Sequence, residues 1–146
     1  MRSLKNVCVV LACASLLAGQ FGCNTTKSLL SSTKFDQAAS NTDKAIKASS
    51  LALIGRAKNS APYTGVSADV DSLMQKIDAA ISSEQQRTQN IPTVEQWKKI
   101  KTQLSNLFNL WKKKGTLSPA FVDDAKGQVS GLFDILIKTE NDKPHS

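Results

Sequence analysis

Hydrophobic residues recur three and four apart along four stretches of the chain, and polar breaks separate the stretches. Successive residues of a helix turn by about 100°, so this spacing gathers the apolar side chains on one side. The clearest stretch runs from Thr93 to Gly115. Its Trp97, Ile100, Leu104, Leu107, Phe108 and Trp111 fall within an arc roughly 100° wide, and both tryptophans of the protein lie on it. Thr93 is expected to cap this helix, with Gln96 completing a capping box. Lys112-Lys113-Lys114-Gly115 is expected to end it, with cations at the negative helix end and glycine at a left-handed exit.

Three further helices are predicted around it. The first spans Lys34 to Lys58, capped by Thr33 with Asp36 three residues on accepting from the exposed amides, and with Phe35, Ala38, Ala39, Thr42, Ala45, Ile46, Ser49, Ala52 and Leu53 on its inner face. Asn59 and Pro62 stop it. The second runs from Val66 to Arg87 on a stripe of Val66, Val70, Leu73, Met74, Ile77, Ala80 and Ile81. Ile91-Pro92 is expected to be extended and to turn the chain. The fourth starts after Ser118, with Leu117 placed to pack on Val122 and a core face of Phe121, Val122, Ala125, Val129, Leu132, Phe133 and Leu136. The last residues, 140–146, are polar and are expected to fray.

No segment alternates with the two-residue period of a strand. The pattern therefore predicts an all-α protein, an antiparallel up-down four-helix bundle over residues 33–139. The third helix, with Trp, Leu and Phe opposing Lys, also has the make-up of an interfacial membrane helix. The stripes of the second and fourth helices need cover, however, and the third is the obvious cover. Its tryptophans are thus assigned to the core.

The first 22 residues differ in kind. Arg2 and Lys5 precede an uncharged apolar run from Val7 to Ala18, too short to span a bilayer as a helix and suited to an export signal peptide. Gln20-Phe21-Gly22-Cys23 resembles the lipobox of bacterial lipoproteins, usually Leu, Ala or Ser, Gly or Ala, then Cys. Gly22 and Cys23 match, while Gln20 and Phe21 differ from the usual pair. The resemblance implies removal of residues 1–22, acylation of Cys23 as the new N-terminus, membrane attachment through that lipid, and a polar tether over residues 23–32. Cleavage without acylation would instead release a free periplasmic or secreted module.

Charge and chemistry narrow the role. The chain carries 19 Lys and Arg against 12 Asp and Glu, and loss of Arg2 and Lys5 lowers the net charge from +7 to +5. Such a balance suits an anionic envelope polymer or lipid; nucleic acid is disfavoured by the export segment and the lack of a recognised binding module. Lys98, Lys101, Lys112, Lys113 and Lys114 form a candidate basic patch, with ordinary helix-end charge as the alternative for the last three. Gly127, Gly131 and Ile135 form a candidate groove for another helix, the alternative being two glycines on a solvated face. The cysteines, Cys8, Cys13 and Cys23, all precede residue 24, and the only histidine is His145. No metal site, cofactor motif or nucleophile–base pairing is expected. Asp123-Asp124 is the one carboxylate pair, and neighbours on a helix point about 100° apart. The expectation is a non-catalytic, exported helical module whose partner is a protein or envelope polymer.

Overall fold

The computed structural model describes residues 33–58 and 61–145. The export segment 1–22, Cys23 and the tether 23–32 lie outside the described residues. Four helices form, α1 (Gln37–Lys58), α2 (Ser67–Gln85), α3 (Ile91–Lys114) and α4 (Pro119–Asn141), with a single 3-10 turn, Tyr63–Gly65, between α1 and α2. No strand occurs among the described residues. Each helix packs on its neighbours in sequence, and α1 closes the ring on α4 in the most extensive pairing of all. The all-α, up-down four-helix bundle is the observed architecture.

The core follows the predicted stripes of three helices. Trp97, Ile100, Leu104 and Trp111 of α3 are completely buried, as are Ile77 of α2 and Val122, Phe133 and Leu136 of α4. Trp97 meets Phe133 edge-on at 5.7 Å, and Tyr63 from the 3-10 turn meets Trp111 edge-on at 5.9 Å. The Trp111 indole N–H donates to the Ala61 carbonyl at 3.1 Å, which satisfies its polar atom while the ring stays in the core. Leu117 joins the same cluster as Val122, and Ser118 Oγ accepts from the Phe121 amide. Gly115 takes the left-handed conformation, φ 78°, as the exit from α3 demands.

The remaining expectations are corrected. The inner face of α1 is Ser40, Asp43, Ile46, Ser50, Leu53, Ile54 and Ala57, while Ala38, Thr42, Ala45, Ser49 and Ala52 face solvent. The two inner serines find partners there: Ser40 Oγ donates to Asn141 Oδ1, and Ser50 Oγ to the Ile46 carbonyl. Asp36 accepts from the Ala38 and Ala39 amides at 2.7 and 3.2 Å, as expected, whereas Thr33 does not cap α1 and donates instead to the Thr88 carbonyl. Those amide donors hold the Asp36 carboxyl below its ordinary value. Helix α3 begins at Ile91 with Pro92 in its first turn, so Thr93 and Gln96 lie inside the helix instead of forming a capping box. Gln96 donates to the Leu132 carbonyl of α4. Phe121 stays partly exposed.

Nor do residues 140–145 fray. Glu140 is completely buried, the Pro144 carbonyl accepts from the Phe35 amide, and the His145 ring lies 4.4 Å from that of Phe35. Removing the Trp111 side chain empties the centre of the apolar end. Trp111→Ala is expected to lower unfolding free energy by ~3–5 kcal/mol. Chemical denaturation followed by circular dichroism checks this, and a change well below 1 kcal/mol would contradict the assigned burial.

Candidate functional site

The ends of all four helices meet at one pole: the starts of α1 and α3, and the ends of α2 and α4. Here the stripe of α2 continues past Ala80 to Glu84, and that of α4 continues past Leu136 to Glu140. Both carboxylates are therefore carried inside by the same periodicity that buries the leucines. Charges taken out of water need opposite charge and hydrogen bonds. Arg87 and Lys143, three residues beyond each acid, supply them.

Arg87 organises the cluster. Its Nη1 donates to Glu84 Oε2 at 2.7 Å and Glu140 Oε2 at 3.0 Å, and its Nη2 donates to Glu140 Oε1 at 2.8 Å and the Lys34 carbonyl at 2.6 Å. Lys143 bonds Glu140 Oε2 and donates to Asn90 Oδ1 at 2.7 Å. The Asn90 amide bonds Glu84 in turn. The Asp36 backbone amide donates to Glu140 Oε1 at 2.9 Å. Glu140 thus ties the start of α1, the end of α2 and the loop before α3 to α4.

The electrostatics follow from these contacts. Burial alone would raise the Glu140 carboxyl, but hydrogen bonds from Arg87, Lys143 and the Asp36 amide outweigh it and hold the group below its ordinary value. Burial likewise works against the Arg87 charge, and the bonds and charges of Glu140 and Glu84 more than offset it. Asp43, one turn along α1 from Ser40, feels the charges of Lys143 and Arg87 but accepts no hydrogen bond from either. Its Oδ2 is buried without a partner among the described residues. Burial first, then the charges of Glu84 and Glu140, push its carboxyl up to about 7.

A carboxyl poised near neutrality suits proton transfer if a substrate can reach it. Two clefts flank the cluster, about 350 Å³ beside Asn90, Thr93 and Lys143, and about 580 Å³ beside Lys34, Asp36 and Arg87. Asp43, Glu84 and Glu140 line neither. The acids lie beneath their cationic partners, an arrangement that fastens the helix ends together.

The residues expected to form sites are scattered. Cys23 is outside the described residues. Lys98 pairs with Glu95 and Lys101 with Asp78, while Lys112, Lys113 and Lys114 are exposed and make no ion pair among the described residues. Lys98 and Lys112 lie about 21 Å apart along α3, so the five lysines do not form one patch. Gly127 and Gly131 open to solvent, and Ile135 beside them is 55% exposed. Asp123 pairs with Lys58 and Asp124 accepts from Gln128, which accounts for both members of that pair. No helix of the described residues is long and apolar enough to cross a membrane, and none of their acidic groupings suits a metal ion.

No protein-family model, curated protein or solved structure matches the chain.

Glu140→Gln leaves Arg87 and Lys143 facing a neutral amide. It is expected to lower stability at pH 7 by ~3–5 kcal/mol, the usual penalty for breaking a buried pair. The sign of the acid response follows from the lowered carboxyl. Its contribution is present above the ordinary value of 4.5 and is lost as pH falls through the lower folded value. The acid limb of the stability–pH curve should therefore flatten in the variant, as thermal melts between pH 2 and 7 would show.

Proposed function

We propose that the protein is an exported, non-catalytic envelope lipoprotein, held to a membrane by acylated Cys23, whose bundle binds or spaces another component of the envelope. The observation that carries this reading is the order of the first 33 residues: a basic start, an apolar run of export-signal length, Gly22-Cys23, and a polar stretch before Thr33. Ten residues of tether span at most ~36 Å when extended, enough to stand the bundle clear of lipid headgroups. Several acyl chains on one cysteine bind a bilayer firmly, so the anchor needs no membrane-spanning helix.

The distribution of charge supports a contact surface far from the anchor. The chain enters the bundle at the pole of the buried ion cluster, and Lys112-Lys113-Lys114 ends α3 at the opposite pole. Three cations there, without ion pairs among the described residues, favour an anionic partner, a protein or a phosphate- or carboxylate-bearing envelope polymer. The departures at Gln20 and Phe21 favour a second reading, in which the leader is cut without acylation and the same bundle acts as a free periplasmic or secreted module.

Fatty-acid labelling in a bacterial host separates the two. Label is expected in the wild-type protein and not in Cys23→Ala, with an intact mass that starts at Cys23 and includes acyl groups. An unmodified mature N-terminus would exclude the anchor.

A further inference from the structure

Among the buried side chains of the polar pole, charge is balanced only while one acid stays neutral. Glu84 and Glu140 face Arg87 and Lys143, two negative groups against two positive ones. The Asn90 side chain and the Asp36 amide are likewise spent on Glu84 and Glu140. Asp43 is a third carboxyl in the same interior, 2% exposed, with Oδ2 unpartnered. It lies on the inner face of α1, between Ser40 and Ile46, where the helix packs on α2 and α4.

We propose that Asp43 is a pH-operated latch for the first half of α1: uncharged, it lets the helix seat against α2 and α4, and ionised, it adds a third negative charge beside two cations and loosens Gln37–Ile46 from the bundle. The charged groups that act on it come from two sides. Glu84 and Arg87 act from the α2 side, and Glu140 and Lys143 from the end of α4. Lys47 pairs with Asp134 of α4 just past Ile46, which sets the far limit of the loosened segment.

The sign follows from linkage. The seated carboxyl titrates at about 7 and the ordinary one at 3.8, so between those values the packed helix holds a proton that the opened one releases. Raising the pH through that window favours opening, and above it the penalty no longer grows. An exported protein meets such pH changes directly, because no cytoplasmic buffer surrounds it. The latch does not rest on acylation and is tested on the purified protein either way.

Amide hydrogen exchange between pH 5 and 8, expressed as protection factors corrected for the intrinsic rate, is the test. Protection over residues 37–46 is expected to fall on the order of 10- to 100-fold, while residues 100–111 of α3 stay constant. Asp43→Asn should abolish the fall and keep the high-protection state at pH 8. His145→Gln, which removes the imidazole lying on Phe35, should leave the fall intact. Constant wild-type protection, an unchanged fall in Asp43→Asn, its loss in His145→Gln, or failure of Asp43→Asn to fold would each overturn the latch.

Discussion

A carboxylate with no exposure to water needs every one of its lone pairs accounted for, and the fold is arranged around meeting that requirement for Glu140. Its partners are spread along the chain: the Asp36 amide, the Arg87 guanidinium and the Lys143 ammonium. These groups converge only when α1, α2 and α4 stop at one level, with the loop before α3 beside them. Buried ion pairs add little net stability compared with well-packed apolar residues. Their geometry is directional, however, and a one-residue slip of α4 would leave charges stranded. The apolar core stabilises the bundle; the ion cluster selects the register in which it forms.

The fold was legible wherever the inner face was apolar. Helices α2, α3 and α4 announce themselves through Val, Leu, Ile, Phe and Trp at helical spacing, and Gly115 and Ser118 mark the turn between the last two. Helix α1 misleads because its inner face uses Ser40, Asp43 and Ser50 while Ala38, Ala45 and Ala52 face water. Small polar side chains that bond a neighbouring helix or their own backbone carry no hydrophobic signal. The ion cluster had a readable trace nonetheless: Glu84 and Glu140 extend apolar stripes by one turn, each followed three residues later by a cation. The two caps are misplaced for different reasons. Asp36 holds the first amides of α1 because an ionised acceptor binds them more strongly than the Thr33 hydroxyl would, and α3 starts earlier than Thr93 because Pro92 fits its first turn.

The two poles of the bundle are built from different physics. Around Trp111 the far end is closed by Tyr63, Val66 and Leu117, a dry plug with one indole hydrogen bond. The near end is closed by charge. Apolar plugs carry no titrating group and respond weakly to pH, whereas buried charges respond strongly to proton concentration. Sensitivity to the surroundings is thereby confined to the end where the chain enters.

That placement has a mechanical consequence. Ahead of α1 the backbone is clamped three times in succession: the Lys34 carbonyl accepts from Arg87, the Phe35 amide donates to the Pro144 carbonyl, and the Asp36 amide donates to Glu140. A force applied through the residues before Thr33 would meet these bonds before it reached the first turn of α1. It would be shared with the end of α2 and with α4, so pulling the helix off the bundle requires breaking the ion cluster first. The buried charges thus fasten the start of α1 to the ends of α2 and α4, at the pole where the chain enters the bundle.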